Sequence, residues 1–166
     1  MSRGFVKEDD QEEVPMVPQR AYLPAGVTNF VTPAGLQQLN EEKQALLKEK
    51  ETIGGANENE KRIALNHLNA RLQLLNNRIT GAKVIIPDDR QTDEIRFGAY
   101  IELEEQATGR RQVFQIVGVD EAAASRGKIS FISPLSRVLM NKSAGEKVIL
   151  KRASDDVTYK ILKISY

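Results

Sequence analysis

Few side chains in this sequence can do covalent or metal chemistry. There is no cysteine and a single histidine, His67. Disulfides, thiolate–metal sites and histidine-rich metal sites are therefore excluded, and a histidine-based triad has only one candidate base. His67 stands among Asn66 and Asn69, beside an apolar seam rather than in it, and reads as a solvated side chain. No glycine-rich phosphate loop, nucleophile elbow or zinc-ligand spacing occurs. Arg110-Arg111 and Lys151-Arg152 are short basic pairs at strand-like ends, and the formal net charge is only +1. No segment carries the basic excess needed to grip a phosphate backbone, which favours a protein partner over naked RNA. No cofactor is expected.

These residues must be held by elements, and the chain divides into four stretches. Residues 1–31 combine an acidic start with Pro15, Pro18 and Pro24 and lack sustained periodicity, so they read as a flexible or extended tail. A docking role for that tail would fall to Phe5, Val14, Met16 and Tyr22. The acidic start leaves no room for the apolar core of a signal peptide, and no apolar run approaches the ~20 residues that span a bilayer. A cytoplasmic protein with no membrane contact is expected.

Residues 32–83 read as two antiparallel helices. Thr32 is a suitable N-cap and Pro33 a suitable first helical residue. Leu36, Leu39, Leu46 and Ile53 then mark one face, with Leu47 beside them. Gly54-Gly55 breaks the helix. Asn57 caps the next one, with Glu60 three residues on as in a capping box. Leu65, Leu68, Leu72, Leu75, Ile79 and Ala82 form a heptad-like seam, which after so short a turn must face the preceding helix.

After a linker at 84–95, the period becomes two. Strands are expected from Phe97, at Val113–Val117, Lys128–Ile132, Glu146–Lys151 and Val157–Ile164, with a short helix at Ser133–Met140. The fold class is α+β: a helical hairpin followed by a small, mainly antiparallel sheet at 96–166 that packs one helix.

The Thr32-Pro33-Ala34-Gly35-Leu36 helix start, the hairpin and the β-domain together resemble the GreA/GreB family. The resemblance rests mostly on an ordered series in the C-terminal half. It comprises Phe97-Gly98-Ala99, Gln115-Ile116-Val117-Gly118 with Asp120-Glu121-Ala122, Gly127-Lys128-Ile129-Ser130, and Ser133 to Lys142, with Tyr166 closing a final strand. It implies an FKBP-like C-terminal domain, and bacterial RNA polymerase as the partner, bound as a monomer at its secondary channel. It also implies a hairpin whose acidic tip helps hold a magnesium ion and a water while the polymerase cuts backtracked RNA. Asp120, Glu121, Ser133, Pro134 and Arg137 are the implied polymerase contacts. For three of them a plainer role is open: Asp120 as a turn former, Pro134 as a helix start, Arg137 as half of a surface ion pair.

The tip departs from the family. Its motif, approximately Gly-Asp-x-x-Glu-Asn, falls on Gly54-Gly55-Ala56-Asn57-Glu58-Asn59. Glu58 and Asn59 match, but Gly55 stands at the aspartate position and has no side chain to ligate a metal. Glu60 lies two residues from Glu58, so at a helix start the two carboxylates diverge. The first helix also falls about three turns short of the family's usual arm and the second about one, at ~5.4 Å per turn. The expectation is a polymerase-binding regulator of elongation or initiation with weak cleavage stimulation, itself no enzyme. A true cleavage factor using Glu58 and Glu60 is the alternative. An FKBP-like prolyl isomerase is disfavoured because aromatic residues make up only 5% of the chain, too few, on that reading, for an aromatic-lined pocket.

Overall fold

Capping chemistry sets the helices where the sequence places them. In the computed structural model, which describes residues 14–88 and 93–166, helix α1 runs Pro33–Glu51 and α2 runs Glu58–Thr80. Thr32 Oγ1 accepts the Gly35 amide at 2.9 Å, with Pro33 in the first turn. Asn57 Oδ1 accepts the Glu60 amide at 2.9 Å, and Glu60 Oε2 accepts the Ala56 amide at 2.9 Å. Helix α2 thus starts with its free donors satisfied from both directions. Leu39 and Leu46 of α1 bury against Leu68, Leu72 and Leu75 of α2, flanked by Leu36, Leu47, Ile53, Ile79 and Ala82. Each buried leucine contributes roughly 1.5–3 kcal/mol of transfer free energy, so one seam holds the arm together.

The base of the arm contains a feature with no counterpart in the sequence reading. Strand β1 (Asn29–Val31) pairs in parallel with β2 (Ala82–Val84). Strand β1 lies inside the stretch read as a tail, and β2 spans the boundary drawn after residue 83. Three residues are too few for a period of two to declare itself.

The remaining strands are β3 (Tyr100–Glu105), β4 (Arg111–Val117), β5 (Lys128–Ser130), β6 (Lys147–Lys151) and β7 (Asp156–Ser165). Helix α3 (Pro134–Leu139) lies between β5 and β6. The sheet order is β5-β4-β3-β7-β6. The pairs β3–β4, β3–β7 and β6–β7 are antiparallel, whereas β4–β5 is parallel. The chain leaves β4, passes a 3-10 turn at Ala124–Arg126 and returns to run alongside it, so the sheet is mixed. Phe97 and Ala99 are buried but precede β3, because Gly98 turns the backbone at φ 88°. Ile101, Leu103, Ile116, Leu139 and Ile161, all fully buried, centre the core.

Two glycines let the arm seat on this domain. A Cβ at Gly118, just past β4, would lie 2.6 Å from the Phe30 carbonyl oxygen of β1. One at Gly35, in the first turn of α1, would lie 2.6 Å from Glu121 Oε2. The Gly118 neighbour is backbone and cannot swing aside. Gly118→Val is therefore expected to cost about 1–3 kcal/mol of overpacking, read as a lower urea midpoint at unchanged m-value.

Candidate functional site

The first candidate site is the hairpin tip. Residues 54–60 are all exposed. Glu60 is committed to the Ala56 amide, and Asn59 Oδ1 accepts from Arg62 Nη2 at 3.1 Å. Glu58 is the one tip carboxylate without an intramolecular partner among the described residues. Gly55 sits tightly: a Cβ there would lie 3.0 Å from the Lys61 amide nitrogen and 3.3 Å from the Asn57 carbonyl oxygen. Among the described residues, no group of three or more His, Cys, Asp or Glu side chains could hold a metal. The tip alone does not fit a magnesium site, since Mg²⁺ asks for near-octahedral oxygen coordination.

The loop after β4 carries Asp120 and Glu121, and both carboxylates point into the joint with the arm. Glu121, 7% exposed, accepts the Thr32 hydroxyl at 2.5 Å on Oε2 and faces Lys128 Nζ at 3.3 Å with Oε1. Thr32 thus caps α1 with one lone pair and donates its proton to the β-domain. The bare Cα of Gly35 leaves room for Glu121 to reach it.

Asp120 accepts from Arg20 Nε at 3.1 Å, and its Oδ2 faces Arg78 Nε at 3.3 Å without a well-aligned hydrogen bond. Arg20 also forks onto Glu42 of α1, Nη1 to Oε1 at 2.7 Å and Nη2 to Oε2 at 3.0 Å, the bidentate geometry that suits a guanidinium. The hydrogen bond from Arg20 holds the Glu42 carboxyl below its ordinary 4.5, and the same contact raises Arg20. A depressed carboxyl stabilises the fold above its unfolded pKa and loses that contribution as pH falls through its folded value. The Arg20–Glu42 pair should therefore persist at neutral pH and open only below about 4.5, which the NMR titration of the Glu42 carboxyl carbon checks.

The third locus surrounds α3. Ser133 Oγ accepts the Ser136 amide at 3.3 Å and donates to Ser136 Oγ at 3.0 Å; Ser136 Oγ, buried, donates to the Ser130 carbonyl at 2.6 Å. Pro134 and Arg137 are exposed, and Arg137 has no ion pair among the described residues. Phe131 and Met140, which flank α3, line an apolar cavity of about 330 Å³ together with Phe30, Ile85, Phe97 and Tyr166. Phe30, Phe97 and Phe131 pack with ring centroids 5.6–6.0 Å apart, the tilted spacing that aromatic quadrupoles favour. The Tyr166 hydroxyl donates to the Glu94 carbonyl at 2.6 Å and accepts the Arg96 amide at 2.9 Å, and burial pushes its phenol up. Composition argued against such a pocket. The few aromatic residues are nevertheless concentrated here, drawn from β1, from the approach to β3 and from the segment after β5.

Residues 90–166 match the family model described as Transcription elongation factor, GreA/GreB, C-term. The elongation factor GreB of Neisseria meningitidis is 33% identical over 154 residues, which cover 83% of this chain and 94% of that protein. The chain belongs to the GreA/GreB family. A second Gre relative, GreA of Thermodesulfovibrio yellowstonii, is 30% identical over 151 residues, 82% of this chain and 96% of that one. Among solved structures, the GreA factor homologue Gfh1 of Thermus thermophilus is similar at 20% identity and a TM-score of 0.41, covering 84% of this chain and all of that one.

Gre membership corrects one expectation, that the chain is no enzyme. Its relatives are GreA and GreB elongation factors, for which the resemblance above implies stimulated RNA cleavage by the polymerase. A factor of that kind cannot be set outside the catalysed step. Arg20, Arg78 and Glu42 were not among the expected site residues. Arg20 stands alone in a proline-spaced stretch and its partner Asp120 is 100 residues away. Val14, Met16 and Tyr22, to which a docking role of the tail would fall, are exposed, and Phe5 lies outside the described residues. No described helix is long and apolar enough to cross a membrane.

Proposed function

We propose that this Gre-family factor acts in the cytoplasm as a monomer. It binds bacterial RNA polymerase at the secondary channel and modulates elongation or initiation with only weak stimulation of transcript cleavage. The observation that carries this reading is the tip, where Glu58 is the one uncommitted carboxylate, Glu60 caps α2, and Gly55 offers no side chain. A lone exposed carboxylate gains little from a shared magnesium ion. Reach points the same way. Helix α1 has 19 residues, so the arm extends roughly 28 Å at ~1.5 Å per residue.

Docking would use the exposed Pro134 and Arg137 with the adjoining apolar cavity, while Ser133 shapes the start of α3. Asp120 and Glu121 would serve that surface by fixing the loop beside it. Arg137→Glu is expected to weaken polymerase binding by about tenfold or more, as loss of an interface arginine can, while leaving the unfolding midpoint unchanged. Binding by fluorescence anisotropy and a urea titration check the two halves.

The deciding experiment is transcript cleavage by a backtracked polymerase, with this protein alone and in competition with an authentic Gre factor. Weak cleavage alone, together with inhibition of the authentic factor, is expected. Strong cleavage that Glu58→Ala or Glu60→Ala abolishes would overturn the reading in favour of a true cleavage factor. The aromatic-lined cavity favours a second reading, a prolyl isomerase. Turnover of a proline-containing peptide that bulky substitution at Phe131 abolishes would support it.

A further inference from the structure

Arg20 joins three parts of the molecule, its own segment, the arm and the β-domain. Its segment, residues 14–28, has no helix or strand. Its guanidinium grips Glu42 on α1 with two nitrogens and Asp120 of the β-domain with the third. Arg78, near the end of α2, donates to the Ala21 carbonyl and closes the opposite side of Asp120. Asn29, where β1 begins, donates to the Arg78 carbonyl at 3.1 Å. The Arg20 side chain is 18% exposed and that of Asp120 9%, so the contact is largely shielded from salt and water.

We infer that residues 14–28 form a strap across the joint between arm and β-domain, with Arg20 as the positioning residue that fixes the arm's angle.

The argument is one of leverage. The other polar ties across the joint, Thr32 to Glu121 at the first turn of α1 and Arg78 to Asp120 at the last turn of α2, sit close to any pivot. A tie at the pivot barely resists rotation. Glu42 is nine positions beyond Pro33 along α1, a radius of roughly 13 Å at ~1.5 Å per residue. Slack of ~1 Å at that radius permits a tilt of about 5° and moves the end of α1 by only ~2 Å. The same slack a few ångströms from the pivot would let the tip wander several times further. A guanidinium suits this work because its planar fork sets direction as well as distance.

Absence of cysteine makes the test direct. Two introduced cysteines, Lys50→Cys near the arm's end and Ala153→Cys in the loop between β6 and β7, both exposed, carry spin labels on the full chain. Double electron–electron resonance then reads the distribution of distances between them. The parent should give one narrow distribution. Arg20→Ala should broaden it about twofold or more, and Arg20→Lys, which keeps the charge but loses the fork, should recover only part of the narrowing. Glu42→Gln, on a half-buried position of a helix whose seam lies elsewhere, leaves the hairpin folded and should also broaden it. Distributions as narrow as the parent's in both Arg20→Ala and Glu42→Gln would overturn the inference, as would a loss of stability with no broadening. The measurement is made on the free protein, so it succeeds or fails apart from the polymerase reading.

Discussion

Asp120→Ala should lower the free energy of unfolding by about 3–5 kcal/mol, the usual cost of removing one member of a buried ionic group. The size follows from what remains. Asp120 stands between Arg20 Nε at 3.1 Å and Arg78 Nε at 3.3 Å, and truncation leaves two guanidinium groups beside each other with their common anion gone. Arg20 keeps Glu42, whose side chain is 41% exposed and well screened, so that pair cannot compensate. Asp120→Asn separates charge from shape: it preserves volume and one acceptor, and should fall between parent and alanine. Urea unfolding followed by circular dichroism measures all three. A loss below about 1 kcal/mol for alanine, the range of exposed pairs, would mean the cluster is solvated and mechanically idle.

Leu75→Ala is expected to cost about 2–5 kcal/mol, the range for emptying a buried leucine site. Leu75 is fully buried on α2, in the seam that also holds Leu39, Leu46, Leu68 and Leu72. Among the described residues, Val31 of β1 is the one buried member of that cluster from outside the two helices, so little can collapse into the void, which argues for the upper half of that range. Leu65, on the same heptad but nearer the tip and only half-buried, should cost less when truncated. The difference between the two variants, read by thermal unfolding, reports how steeply packing decays along the arm.

What the sequence revealed and what it hid divide along the range of the interactions. Thr32-Pro33, Asn57 with Glu60, and Ser133-Pro134 announce helix starts because a cap is written within four residues. The two leucine seams announce the hairpin because a helix repeats every 3.6 residues. Strands β1 and β2 are too short for any period, and the parallel pairing of β5 depends on the path of a loop rather than on its composition. The tip was legible in its capping, because Ala56, Asn57 and Glu60 are close neighbours in the chain. Asp120 and Glu121 were legible as special but not as inward-facing, since a turn acid that binds a partner and one that braces an arm look alike in sequence. The cavity was the reverse case: its phenylalanines, Phe30, Phe97 and Phe131, are far apart in the chain, and a 5% aromatic content concealed how completely they converge.

The pairing of β1 with β2, Asn29 opposite Ala82 and Val31 opposite Val84, brings the start and finish of the arm to one spot. The hairpin is in that sense a cassette inserted at a single point of the scaffold. Adding one heptad to α1 and one to α2 together would telescope the tip outward by roughly 10 Å, preserving the leucine repeat and both caps and disturbing nothing below Glu42. Reach can thus change while the β-domain stays constant, and a chimera bearing a longer arm on this β-domain is a realistic construction.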